Sequence, residues 1–212
     1  LFSEDGDGGF PHAVNCTVCY LLKSSGELRI DYDATATGPT PINLTNHSYF
    51  NLAGAASGSI LNHELQLSSS RYLESDHMNM VTGKILPVQN SPFDFTNRKA
   101  IGKDIDAAQG YDHCYILDKV ATKLTEFAFL YEPTSGRTMR MSTTLPSVQV
   151  YTGNSLAAKE VGKGGVAYAQ HSGVCFETQY YPDSPNQAEF PSCIFSKERP
   201  FSHTTVFAFD VK

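Results

Sequence analysis

An alternation of apolar and polar residues with a period of two recurs almost from end to end of this chain, and it limits the possible folds more than any other feature. In ELRIDYDATAT, residues 27–37, Leu28, Ile30, Tyr32, Ala34 and Ala36 fall on one face, and Arg29, Asp31, Asp33, Thr35 and Thr37 fall on the other. In RTMRMSTTL, Met139, Met141 and Leu145 align, and in TVFAFDV so do Phe207, Phe209 and Val211. Side chains two apart share a strand face, so each run reads as a strand with one buried side. Further strands are expected over 14–22, 63–67, 114–117, 123–131, 148–151 and 173–178. Turn sequences separate them: KSSGE, TGPTP, GAASGS, PTSGR, GKGG and PDSPN. TSGR, between Tyr131 and Met139, reads as a hairpin turn. Helical spacing is confined to pieces such as RKAIGKDIDAAQ, which Gly102 interrupts. The expectation is an all-β fold, a large antiparallel β-sandwich with few helices, in one undivided domain over residues 1–212.

Composition narrows the partners. Hydrophobic residues make up 41% of the 212, enough for a substantial core, while the net charge is −6 and no Lys/Arg run occurs. A nucleic-acid role would call for a basic patch, and no apolar stretch approaches the roughly 20 residues that span a bilayer. Neither nucleic acid nor membrane is an expected partner. Five cysteines, at positions 16, 19, 114, 175 and 193, are too few and too scattered for a disulfide framework. They read as free thiols in a reducing, cytoplasmic setting. The two sulfurs of CTVC, three residues apart in an expected strand, fall on opposite faces, and no Cys/His set completes a zinc site.

Four polar stations stand out. The first lies in NLTNHSYFNLAG, residues 43–54. Read as a strand, this segment turns Leu44, Asn46, Ser48 and Phe50 one way and Asn43, Thr45, His47, Tyr49 and Asn51 the other. The second face suits a polar ligand better than a core. The other stations are Asp112 and His113 in GYDHCYIL, Gln149 and Tyr151 in VQVYTGN, and Glu177 in CFETQYYPDSPNQ. Each has an ordinary structural counterpart, such as a hydrogen-bonded strand histidine or a turn-capping aspartate. Glu177 is the most suggestive, because VCFE draws a carboxylate toward the interior, where desolvation suits it to base work. One His and one Glu with amide and carboxylate partners fit general acid–base chemistry, and a sugar hydroxyl is a plausible target. There is no Trp to stack on a sugar, but 11 Tyr and 13 Phe can substitute.

Taken in order, TPINLTNHSYFNLAG, VQNSPFDF, GYDHCYIL, VQVYTGN and HSGVCFETQYYPDSPNQAEFPS resemble the characteristic stretches of the galactose mutarotase, or aldose 1-epimerase, family. The resemblance covers nearly the whole chain, and the pairing of NHSYFNL with ETQ-x-x-PDSPNQ is its most specific part. It implies a large antiparallel sandwich, no metal or cofactor, and interconversion of the α and β anomers of hexoses such as galactose and glucose. It further implies Glu177 as the base that takes the C1 hydroxyl proton and His47 as the acid that protonates the ring oxygen. The two groups are expected on opposite sides of the sugar ring. By motif position, Asp112 and Gln149 are the implied sugar-hydroxyl partners.

The resemblance begins partway into the family pattern. The opening LFSEDGDGGFPHAV is similar to a mid-chain loop, with Pro11-His12 where a Pro-Gly pair is usual. The front third of a typical member, with an Asn-Arg pair and a second histidine lining the sugar site, has no counterpart here. His12, His63 and His171 stand in other contexts. The N-terminal segment is therefore an expected companion fragment, because sheets of this kind need complete edges. Two other readings stay open: a sugar-binding relative without catalysis, and a sandwich domain of a glycoside-processing enzyme. The latter would need two carboxylates flanking the bond.

Overall fold

The computed structural model describes residues 1–118, 123–159 and 161–212. Its strands, in chain order, are β1 (Phe2–Ser3), β2 (Val14–Leu22), β3 (Glu27–Ala36), β4 (Thr40–Pro41), β5 (Glu64–Leu67), β6 (Arg71–Ser75), β7 (Val81–Pro87) and β8 (Lys99–Ala100). They continue as β9 (Asp112–Ile116), β10 (Thr125–Tyr131), β11 (Arg137–Thr143), β12 (Ser147–Tyr151), β13 (Cys175–Gln179), β14 (Ile194–Phe195) and β15 (Phe201–Val211). Among the described residues the helical content is four single 3-10 turns, at Asp7–Gly9, Ile101–Asp104, Lys163–Gly165 and Ser184–Asn186. Among the described residues no helix is long and apolar enough to cross a membrane.

The strands form an eight-stranded sheet ordered β1-β2-β3-β15-β11-β10-β5-β8 and a five-stranded sheet ordered β13-β12-β9-β6-β7, with β14 and β4 as a small pair. Neighbours run antiparallel throughout. The core lies between the two layers and follows from the alternation. The large sheet contributes Ile30, Tyr32, Leu65, Met139, Met141 and Phe207, and the small one contributes Tyr115, Val148, Val150 and Phe176. All are buried in one continuous cluster. At about 25 cal/mol per Å² of apolar surface removed from water, such side chains contribute roughly 1.5–3 kcal/mol each.

Three local expectations need correction. Phe209 and Val211, at the far end of β15, remain partly exposed although they align with buried Phe207. In β2, Val18, Tyr20, Leu21 and Leu22 are exposed as well. The third correction concerns residues 43–51, which form no strand. Their one ladder contact is at Phe50, whose N–H donates to the Val174 carbonyl at 2.8 Å and whose carbonyl accepts from Val174 at 2.9 Å. Asn46 Oδ1 accepts from the Ser48 N–H and Asn51 Oδ1 from the Ala53 N–H, both at 3.0 Å. Such short-range side-chain bonds offer the backbone an alternative to a sheet ladder.

Candidate active site

The site is built on β12, the strand between β9 and β13. Val148 and Val150 point into the core, so Gln149 and Tyr151 point to the opposite face of the small sheet. On β13, Phe176 and Thr178 are buried, which puts Cys175, Glu177 and Gln179 on that same outer face. Gln149 pairs directly with Glu177, and Tyr151 pairs with Asp112 on one side and Cys175 on the other. Strand register alone therefore brings together three of the four anticipated residues.

His47 reaches them by another route. The Asn43 side chain brackets Tyr180, donating to its carbonyl at 3.1 Å and accepting from its N–H at 2.9 Å. At the other end, Phe50 is joined to Val174. Residues 43–50 are thus fastened at both flanks of β13 and run along its open edge. Midway between the fastenings, His47 meets Glu177.

His47 Nε2 lies 3.4 Å from Glu177 Oε1, longer than a charge-assisted hydrogen bond. The expectation of two groups on opposite sides of a whole ring is corrected here, since the pair is nearly in contact. Its members differ in surroundings, the carboxylate side chain being 13% exposed and the imidazole 52%. Burial pushes the Glu177 carboxyl above its ordinary value; His47 opposes this and the negative charge of Asp112 adds to it. Gln149 Nε2 donates to Asp112 Oδ1 at 2.7 Å, and Gln149 Oε1 is buried without a partner.

These four residues line one depression of about 400 Å³, a volume typical of small-molecule sites. Sequence reasoning had not assigned Tyr49 and Gln179 to it. Tyr49 shares the alternation of His47 and so stands on its expected face, whereas Gln179 lies one residue past the expected strand 173–178 and joins the site because β13 extends to it. The rings of Tyr49 and Tyr151 lie 5.3 and 6.1 Å from the imidazole, offering flat apolar surface beside the polar groups. A neighbouring apolar cavity of about 460 Å³, lined by Phe50, Leu52, Leu156 and Phe209 among others, contains no acid–base pair. The remaining histidines of interest lie outside the depression. His63 Nε2 accepts from the Leu52 N–H, and His171 Nδ1 is 2.8 Å from the Thr152 carbonyl.

The sequence pattern described as aldose 1-epimerase matches residues 1–208. The chain belongs to the aldose 1-epimerase family. Galactose mutarotase of Homo sapiens is 42% identical over 212 residues, covering 99% of this chain and 61% of its own length. Aldose 1-epimerase of Haemophilus influenzae is 38% identical over 196 residues, 90% of this chain and 57% of its own. Among solved structures, the aldose epimerase homologue from C. elegans superposes with a TM-score of 0.91 at 25% identity, covering all of this chain and 64% of that one. The chain thus spans about three fifths of the length of these aldose 1-epimerase relatives.

Proposed function

We propose that the chain carries the acid–base centre of an aldose 1-epimerase, interconverting the α and β anomers of hexoses such as galactose and glucose. The observation that carries this reading is the half-exposed imidazole of His47 set 3.4 Å from the desolvated carboxylate of Glu177. The hydroxyl oxygen and the ring oxygen of a pyranose are bonded to the same carbon, C1. An acid and a base need only flank that one centre, so a close pair suits the chemistry.

In the proposed reaction the Glu177 carboxylate takes the proton of the C1 hydroxyl. The electron pair of that O–H bond forms the aldehyde, the bond from C1 to the ring oxygen breaks, and protonated His47 delivers a proton to the departing oxygen. Rotation about C1–C2 turns the other aldehyde face toward the C5 hydroxyl. That hydroxyl attacks C1 while its proton returns to His47, and Glu177 returns its own proton to the new C1 hydroxyl. Raising a carboxyl pKa toward the working pH makes it a better match for both directions of proton transfer. The linked Asp112–Gln149 pair supplies acceptors for the remaining sugar hydroxyls, the free Gln149 Oε1 among them.

A cytoplasmic location and a companion segment equivalent to the rest of the relatives' length complete the proposal. The unpaired thiols support the first, and the 61% coverage of relatives supports the second. Exchange between the anomeric protons of α- and β-galactose, followed by magnetisation-transfer NMR, tests it. Exchange well above the buffer rate, by the chain alone or joined to the companion segment, supports the reading; sugar binding with no acceleration in either form contradicts it.

A further inference from the structure

A third donor lies beside the acid–base pair, and the reaction above does not use it. Cys175 precedes Glu177 by two residues on β13 and so shares its face. It is fully buried, yet it belongs to neither of the apolar clusters that take in Cys193 and Cys114. Its Sγ, a ring nitrogen of His47 and a carboxylate oxygen of Glu177 all lie within 4.8 Å of one another. Tetrahedral coordination at metal–ligand distances of about 2.0–2.3 Å places donor atoms roughly 3.3–3.7 Å apart. The imidazole and carboxylate already stand at 3.4 Å. The thiol needs to close at most about 1.5 Å to join them, and His47 is half exposed and free of any strand ladder.

The donor types select the cation. One thiolate, one imidazole and one carboxylate suit zinc or cadmium, whereas magnesium and calcium require oxygen ligands. Three protein donors also leave a fourth position for water. The sequence hid this set because its members come from segments some 130 residues apart and match no spacing rule.

We propose that His47, Cys175 and Glu177 form a binding site for a thiophilic divalent cation of the zinc class, which engages the acid and the base together and so arrests proton transfer. On binding, the cation replaces the Cys175 thiol proton, which passes to solvent, while neutral imidazole and ionised carboxylate donate lone pairs. Binding is independent of the function proposed above; the arrest rests on it.

The test is a cadmium titration of the purified chain, reading the ultraviolet thiolate-to-metal charge-transfer band, with excess magnesium present. The expected result is saturation by one equivalent in Cys19→Ser protein, which removes the exposed competing thiol. The band should vanish in Cys19→Ser/Cys175→Ser. It should need at least about tenfold more cadmium in Cys19→Ser/His47→Asn, since even outer partners of metal ligands are worth 10–100-fold in affinity. His47 is half exposed, so its replacement leaves folding intact and keeps the test decisive should the Cys175 variant misfold. An undiminished band in folded Cys19→Ser/Cys175→Ser, or unchanged affinity in the His47 variant, overturns the proposal. If the band behaves as expected while the metal-free chain, alone and joined to the companion segment, shows no anomer exchange, the site stands and the functional reading fails.

Discussion

His47 Nε2 stands 3.4 Å from Glu177 Oε1, midway between the two places where residues 43–50 are fastened to the flanks of β13. His47, the proposed acid, is therefore positioned by its segment's ends, with no ladder bonds of its own. That makes Asn43 a positioning residue. Asn43→Ala removes both bonds to Tyr180, each worth about 0.5–1.5 kcal/mol. We expect kcat to fall roughly tenfold with KM nearly unchanged. A purely structural role would lower thermal stability and leave kcat intact.

With Glu177 as the proposed base, its raised carboxyl should set the acid limb of the rate profile. The base form exists only above its pKa, so kcat/KM falls with acid at a pH higher than the ordinary glutamate value of about 4.3. Asp112 contributes to the upward shift through its charge. Asp112→Asn should move the limb to lower pH in profiles measured with a chelator present. An unmoved limb would assign the titration to another group.

The same shift has a stability consequence. A carboxyl with a raised folded-state pKa costs stability as pH rises from the unfolded value through the folded one, and the full cost remains above both. Replacing Glu177 by uncharged Gln removes that cost. At neutral pH, Glu177→Gln should raise Tm, while it lowers kcat at least about a hundredfold. Differential scanning calorimetry reads the first and a rate assay the second.

Much of the fold was legible in the sequence. The expected strands over 14–22, 123–131 and 148–151 coincide closely with β2, β10 and β12, where residues of strand character run from turn to turn with no Gly or Pro among them. β6 and β7 gave no such signal. A register shift lies between Leu73 and Ser75, and Gly83 takes a positive φ of 87°, so the period of two is lost there. In residues 43–51 the alternation suggested a strand, but the Asn46 and Asn51 side chains take backbone N–H groups locally. Phe209 and Val211 have core chemistry, yet burial depends on which elements lie above them, and periodicity carries no such information. In the site, the order of strands around β12 brings Asp112, Gln149 and Glu177 to one face, and strand order is not written in any single motif.

Gly110 tests how strictly Asp112 is placed. Its φ is +83°, and a Cβ there would collide with the Asn154 side chain. That side chain accepts from Thr152 Oγ1 at 2.7 Å and donates to the Tyr111 carbonyl at 3.0 Å, next to Asp112. Gly110→Ala should cost about 2 kcal/mol or more in urea denaturation. It should also raise KM for the sugar, which Gly136→Ala, on the remote β10–β11 hairpin, should not do.

That hairpin also carries an acid-sensitive element. The Ser135 hydroxyl, with the backbone N–H groups of Thr134 and Ser135, holds the Glu132 carboxyl down at about 2. A depressed pKa contributes stability above the unfolded value, about 4.3, and that stability is lost as pH falls toward 2. Glu132→Gln should therefore lower Tm at pH 6 and change it little near pH 2. Equal losses at both values would assign the effect to packing.

The direct test of the acid–base pair is polarimetry of freshly dissolved α-galactose with wild-type chain, Glu177→Gln and His47→Asn, joined to the companion segment if the chain alone is inactive. The account predicts accelerated equilibration by wild type and at least about a hundredfold lower kcat in each variant, the usual scale for losing a general acid or base. Wild-type rates in both variants would contradict it.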